Sequence, residues 1–337
     1  MTQLGIFVGE NMWTFFREIY AHLEIQYDVQ VFAPPDEIHL PLFSARVNRW
    51  RFRQSIRSLL QTSDICFFEW ASEYLQIASQ MPKSAPIVTR LHSFELYDWA
   101  PKINWENVDK IIFVCEHVRQ KFIDQYPKQA GKTVVVYNAI PVEKFPPVQR
   151  KFDFSIGMLG HIAPIKRIYE IILLTRELLD MGYSPSLHIA GREKNKGRID
   201  RYYVAVHQIV QKLKLQDHVK FYGHVDNPGE WFQNIDIFIS NSYWEGLHTA
   251  LLEAMAAGCY CLGHFWDGVE EALPLENIYT TEGELKQKLI EYAALSDAER
   301  ETRTRATSEI AQQKFNIHSN KVKFTTILED VMKRSKQ

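Results

Sequence analysis

The pair Glu245 and Glu253 brackets a glycine turn and the start of an apolar helix, in the run Tyr243-Trp244-Glu245-Gly246-Leu247-His248-Thr249-Ala250-Leu251-Leu252-Glu253. Before it lies Ile235 to Ser240, a short buried-strand pattern, and after the small-residue run Ala254 to Gly258 comes Cys259 to Gly263, another one. The unit reads strand, loop, helix, strand. In such a unit the loop sits at the carboxyl end of the first strand, where the free N–H groups and positive end of the next helix receive an anion. A phosphate-bearing ligand fits that position. A second charged group, Lys166, stands between a strand ending at Leu159 and a helix from Arg167. Its ammonium is a point charge suited to a phosphate, and Arg167 can add a bidentate grip. Two cations at a helix start oppose its dipole, which argues against a purely structural reason for them. Glu253, the one charge in an otherwise apolar helix from Ala250 to Ala257, needs a partner, because an unpaired buried charge costs several kcal/mol.

These residues sit in an alternating α/β pattern. Strand-like runs at 4–8, 29–33, 65–70, 86–91, 110–115 and 133–137 alternate with helical stretches such as Thr14 to Gln26, Arg46 to Gln61 and Val118 to Gln125. Pro141, Pro146 and Pro147, with Lys144, Gln149 and Arg150, read as a linker. A second series follows at 152–159, 186–190, 219–222, 235–239 and 259–262, with helices near 167–181, 199–213 and 250–257. After Glu282 the chain is helical, and Val322, Phe324, Ile327, Leu328 and Val331 fall at helix-compatible spacing. A chain of 337 residues has the length for two domains, each with its own core.

Composition narrows the function classes. With 46% hydrophobic and 24% charged residues the chain is ordinary for a soluble globular protein, and a formal charge of −2 argues against wholesale nucleic-acid binding. No apolar run nears the ~20 residues of a membrane span, and Met1-Thr2-Gln3 leads into the first strand without a signal-peptide charge pattern, so a cytoplasmic location is expected. Cys66, Cys115, Cys259 and Cys261 fall in or beside buried strands and lack a second pair at zinc spacing, which favours core thiols. No Asp-x-Asp motif appears and the twelve histidines are scattered, so no metal is expected. No Gly-x-Gly-x-x-Gly follows a strand, which disfavours dinucleotide oxidoreduction.

Ile38 to Ser63 holds no acidic residue and five arginines. Arg46, Arg49, Arg53 and Arg57 share one helical face, and Phe52, Ile56, Leu59 and Leu60 another. This basic helix, residues 46–60, is either the solvated face of a core helix or a peripheral contact with anionic lipid at the inner membrane surface, or with an acidic acceptor; Trp50 among the arginines supports contact.

The stretch from Glu245 to Glu253 resembles the signature of the retaining nucleotide-sugar glycosyltransferases of family 4 (glycosyl transferases group 1), which have two glutamates separated by seven residues before a small-residue helix. Gly160 and Lys166 sit where that family carries Gly-Arg and then Lys. Tyr137-Asn138-Ala139-Ile140 with Phe145 looks like its interdomain segment, and Asp267 to Glu271 resembles its Gly-Gly-x-x-Glu turn. The resemblance covers roughly residues 85–275 in order. It departs at His161 and His248, where the family carries arginine and frequently glycine, and in the first loop, Gly9-Glu10-Asn11-Met12-Trp13, where Gly9 stands alone for a glycine-rich run.

The resemblance implies a GT-B fold: two doubly wound Rossmann-like α/β domains facing across a cleft. An acceptor-side domain spans 1–145, with a C-terminal helix of about 316–337 packing back on it, and a nucleotide-sugar-binding domain spans 150–315. It implies retaining, metal-independent transfer of a hexose from a UDP or GDP sugar to a glycan, lipid-linked or small-molecule acceptor, the donor being a substrate and no cofactor being needed. By resemblance Glu253 accepts hydrogen bonds from the ribose hydroxyls, Glu245 holds hydroxyls of the transferred sugar, and the backbone near Gly246, Leu247, His248 and Thr249 meets the diphosphate. Gly160, His161 and Gly9 line the donor, the turn Tyr222-Gly223-His224-Val225 meets the base, and His92, at the end of the strand Val88 to Leu91, lies near the donor sugar. Two other readings share the architecture: a sugar-nucleotide epimerase or phosphorylase, and a non-catalytic partner subunit, the latter suggested by the reduced first loop, His161 and His248.

Overall fold

The computed structural model describes all residues except 11, 14, 15, 40, 41, 149, 193–199, 336 and 337. Asn11 of the first loop, Gln149 of the linker, and the first residues of the helices expected from 14 and 199 lie outside the described residues. The chain divides into two compact units, Met1–Asn138 with Ile317–Gln337, and Ala139–Asn316.

The first unit carries β1 (Gln3–Phe7), β2 (Asp28–Val31), β3 (Ile65–Glu69), β4 (Ile87–Leu91), β5 (Lys110–Phe113) and β6 (Thr133–Val135) in one sheet, ordered β2-β1-β3-β4-β5-β6 and parallel throughout. β3 and β4 are buried at every position, the pattern of strands covered on both faces. The chain adds β2 on one side of β1 and then returns to add β3 on the other, so the topological switch point lies at the end of β1, beside Gly9. The helix Ile317–Ser335 packs on the helix Arg17–Gln26, with Lys321 Nζ 2.9 Å from Glu18 and Phe324 edge-on to Phe67. Val322, expected on its apolar face, is exposed.

The second unit carries β7 (Ser155–Leu159), β8 (Ser186–Ala190), β9 (Val219–Gly223), β10 (Ile237–Ser240), β11 (Tyr260–His264) and β12 (Ile278–Tyr279), ordered β12-β11-β10-β7-β8-β9 and again all parallel. Here the switch point lies between the ends of β7 and β10. That one topological fact brings the segment after Leu159 and the segment after Ser240 side by side. The helix Ile168–Asp180 buries Ile168, Ile171, Ile172, Leu174 and Leu178 on one stripe against the sheet, and the helix Thr249–Ala256 is buried nearly all round.

The helices Glu73–Ser79, Glu95–Asp98 and Pro228–Phe232 and the two-residue β12 carry no sequence signal of their own, being too short for a period to repeat. All four cysteines are buried, and none is in a disulfide among the described residues.

Candidate active site

β7 ends at Leu159, and Gly160 follows with φ +152°, a backbone conformation that a side chain disfavours. A Cβ there would lie 3.4 Å from Lys166 Cε, so the bare glycine also leaves room for the lysine stem. A 3₁₀ turn, Pro164–Lys166, then aims the lysine back over the strand ends, and Arg167 in the left-handed region (φ 51°) starts the helix Ile168–Asp180. From the other side of the switch point, β10 delivers Ser240, Asn241 and Ser242 and then the loop to Thr249.

The two segments meet at Lys166. Its ammonium donates to Glu245 Oε1 and lies 3.3 Å from His248 Nε2. Ser242 Oγ donates to the same Glu245 oxygen at 2.6 Å, and His248 Nδ1 is 2.8 Å from Ser240 Oγ. Burial pushes the Glu245 carboxyl up, but the Lys166 charge and the hydrogen bonds from Lys166 and Ser242 outweigh it and hold it below the usual range. Burial and the Lys166 charge push His248 down to about 4, so its imidazole is neutral at physiological pH. Gly160, His161, Lys166, Asn241, Ser242 and His248 line one cavity at this point. His161 itself is exposed.

Past the loop, His248 is the N-cap residue of the helix Thr249–Ala256, and no side chain caps it, which leaves first-turn N–H groups for another acceptor. Gly246 and Leu247 precede it in the same loop, Leu247 buried. Thr249 Oγ1 is buried without a hydrogen-bond partner. One turn on and on the same helical face, Glu253 has neither hydrogen bond nor ion pair through its side chain among the described residues; burial alone pushes its carboxyl up to about 8. Two adjacent polar groups without partners, in a helix otherwise apolar, mark a place where a ligand supplies the missing hydrogen bonds.

Arg167 does not join this group. Its guanidinium pairs with Glu282, lies 3.7 Å from Glu170 and stacks over Tyr243, while Asn241 Nδ2 donates to its carbonyl. The left-handed turn at 167 sends its side chain to the flank when the chain enters the helix. Gly223 (φ +64°) closes β9, and His224 beyond it faces Asp226 at 3.3 Å. β9 is two strands from β7, about 10 Å away, so this turn borders the same sheet edge without touching Lys166.

Gly9 and His92 belong to the first unit. Gly9 ends β1 in a tight turn where its carbonyl accepts the Met12 N–H at 2.9 Å. His92 is buried: its ring stacks on Trp70 at 3.6 Å, Nε2 lies 3.2 Å from Glu69 Oε1, and its N–H donates to Glu95 at 3.1 Å. Burial holds it down at about 4. It is neither the surface histidine nor a free imidazole that a strand-end position suggests.

Four site residues escape sequence reading. Ser240 and Ser242 hold His248 and Glu245, and Asn241 ties Arg167 to the Tyr279 hydroxyl. Gly191, after β8, has φ +146°, and a Cβ there would fall 1.7 Å from the Gly160 carbonyl oxygen. The only sequence signals are three small polar residues in a row after a buried strand, and a glycine at a strand end.

Residues 140–295, within the second unit, match a family model. That model describes glycosyl transferases group 1. The matched segment, less than half of the chain, includes Gly160, Lys166 and the whole run from Glu245 to Glu253. Among curated proteins, the chain is 26% identical over 160 residues to the capsular polysaccharide biosynthesis glycosyltransferase CapM of Staphylococcus aureus, covering 43% of this chain and 40% of that one. The match thus spans less than half of that relative's length. Among solved structures, HepE of Anabaena in complex with UDP superposes with a TM-score of 0.76 at 17% identity, covering 98% of this chain and 100% of that chain. Sucrose-phosphate synthase from Thermosynechococcus elongatus gives a TM-score of 0.78 at 14% identity, over 99% and 100%. At these identities the likeness establishes the fold, and it is GT-B: two parallel six-stranded sheets with their helices.

Proposed function

We propose that the chain is a retaining glycosyltransferase that moves a hexose from a UDP or GDP sugar to a glycan, lipid-linked or small-molecule acceptor, without a metal. The observation that carries this reading is the convergence of Lys166 and Glu245 at the switch point, beside the uncapped end of a helix whose Thr249 and Glu253 lack partners. Transfer breaks the bond from the anomeric carbon to phosphate, so the diphosphate leaves with the electron pair while the sugar becomes oxocarbenium-like. Lys166 and the helix N–H groups stabilise the departing charge. Glu245 accepts sugar hydroxyls, Glu253 the ribose hydroxyls, and the turn at Gly223 and His224 borders the base. The acceptor hydroxyl attacks the face the diphosphate leaves, and a phosphate oxygen takes its proton, so no enzymic nucleophile is assigned. Gly9 and His92 are assigned to the donor side of the first unit. That HepE, a neighbour of the same fold, is a UDP complex makes uridine the first base to try.

A thermal-shift series with UDP, GDP, ADP and TDP tests the reading. A ligand that binds the folded state stabilises it by about 2.7 kcal/mol at a hundred times its Kd, so one nucleotide should raise Tm well above the others. No shift with any of them overturns the donor site. A clear shift without transfer or hydrolysis of the matching sugar nucleotide favours the non-catalytic partner subunit, the reading that His161 and His248 suggest.

The same reading takes a lipid-linked acceptor at an anionic membrane surface, met through the helix Ser44–Thr62. Ile56, Leu59 and Leu60 are buried, whereas Arg46, Arg49, Arg53 and Arg57 are exposed, and none is in an ion pair among the described residues. Leu42, Phe43 and Trp50 are 73%, 71% and 61% exposed beside them, an apolar edge that solvation alone leaves unexplained. Asp36, Glu37 and Glu73 share a groove with Arg49 and Arg51, and none pairs with the stripe. No helix among the described residues is long and apolar enough to cross a membrane. Co-sedimentation should follow phosphatidylglycerol vesicles and not phosphatidylcholine ones, and Arg49→Glu with Arg53→Glu should cut binding at least tenfold, at about 1 kcal/mol per charge. Equal binding to both vesicles, or to neither, overturns it.

A further inference from the structure

His248 is the departure in the signature that the proposed chemistry leaves unused, and its contacts give it a task. The imidazole lies between β10 and Lys166: Nδ1 is 2.8 Å from Ser240 Oγ and Nε2 is 3.3 Å from the Lys166 ammonium. An ammonium has three donors and no acceptor, so a nitrogen that receives from it must carry a lone pair. The proton of the neutral ring then sits on Nδ1 and donates to Ser240 Oγ. The chain of bonds runs from Ser240 through His248 to Lys166, and from Lys166 to Glu245, which Ser242 holds in turn.

We infer that His248 is a positioning residue: as a neutral acceptor anchored on Ser240, it fixes the rotation of the Lys166 ammonium so that its remaining N–H points at an incoming phosphate oxygen. One acceptor leaves the lysine head able to pivot on that hydrogen bond as its flexible stem turns. Two acceptors, Glu245 and His248, fix it, and the third donor then has one direction. A glycine at 248, the residue frequent in the signature, has no ring to offer, so here the lysine has an acceptor that such a glycine lacks. The cost of leaving it unfixed falls on turnover, because a misplaced charge stabilises the departing diphosphate less than the resting substrate.

The role rests on the proposed transfer reaction, and two measurements separate the two claims. In the first, nitrogen-15 spectra of the full chain report the tautomer of His248, assigned by its loss in His248→Gln. A proton on Nδ1 and a bare Nε2 are expected; a proton on Nε2, donated instead to the Leu159 carbonyl that also faces the ring, overturns the inference. In the second, turnover is compared for His248→Ala, His248→Gln, Lys166→Ala and the double variant of His248→Ala with Lys166→Ala. The inference expects His248→Ala to lower kcat about tenfold with KM for the sugar nucleotide moving less than about twofold, and His248→Gln, whose amide oxygen can accept, to recover most of it. The double variant should be no slower than Lys166→Ala alone, because a residue that acts through the lysine has nothing left to act on. Additive losses, or a His248→Ala enzyme as fast as the parent, overturn it. If the parent turns over no sugar nucleotide, the transfer reading falls, while the tautomer still decides whether His248 holds the lysine.

Discussion

Each unit places an acid, a cation and a histidine at or just beyond the strand ends of a doubly wound parallel sheet, yet the two clusters are built to different ends. In the first unit Arg90 grips Glu69 at 2.5 and 3.0 Å, His92 and Glu95 complete the group, and the side chains of the ion pair are 2% and 0% exposed. In the second, Lys166 and Glu245 form an ion pair whose side chains are 19% and 16% exposed, Lys166 lines a cavity, and further along the chain Glu253 has no side-chain partner among the described residues. The same topology therefore builds one closed cluster and one open one. What separates the two is access, because Glu69 Oε2 and Glu95 Oε2 also have no hydrogen-bond partner among the described residues yet lie fully buried.

Removing a cation from each cluster is the sharpest way to break that comparison. Arg90→Ala leaves Glu69 buried without its ion-pair cation and should cost about 3–5 kcal/mol in urea denaturation. Lys166→Ala should leave the urea midpoint within about 1 kcal/mol of the parent, as expected for a partly exposed pair, and lower kcat about a hundredfold or more. If Lys166→Ala unfolds the protein and Arg90→Ala does not, the contrast is inverted. Next in size, Glu253→Ala should weaken binding of the preferred nucleotide diphosphate by about 1.5–3 kcal/mol, read by calorimetry, with no loss of stability, since it removes a carboxyl that has no partner in the protein. A large stability loss would return Glu253 to the core.

The most gradual effect is in pH, and it sharpens the comparison. Burial raises both Glu253 and Glu95 to about 8 from an ordinary carboxylate value of 4.5. The folded state therefore holds each proton longer than the unfolded chain does. The stability from each is complete below about pH 4.5 and is lost as pH rises toward 8, at up to about 1.4 kcal/mol per pH unit. Glu253→Gln and Glu95→Gln should each flatten that decline in urea titrations. A saturating nucleotide diphosphate should alter the Glu253 contribution and leave that of Glu95 unchanged; an equal response from both would place neither in the ligand's reach.

Much of this was legible in the residues. The strands other than β12 were readable because parallel strands covered on both faces are near-continuous apolar runs, as in Ile65 to Glu69 and Ile87 to Leu91. Lys166, Glu245 and Glu253 were readable because a charge in apolar surroundings demands a reason. Arg167 is adjacent to Lys166 and equally charged, but its side chain goes elsewhere because one left-handed φ at the helix entry turns it to Glu282 and Glu170. No pattern of types encodes that angle. Ser240, Ser242 and Gly191 were silent for the opposite reason: small neutral residues act through where the fold puts them, and position is a tertiary property.

Gly191 also bears on how this sheet edge can change over generations. Its missing methyl group is the space that the Gly160 carbonyl occupies, so every codon change to another amino acid at 191 wedges β8 away from β7. The turn carrying Lys166 begins on that same carbonyl's strand. Drift at a position with no chemistry of its own would thus be felt first as a displaced cation, and selection for the lysine would be read out, one strand over, as an unbroken record of glycine.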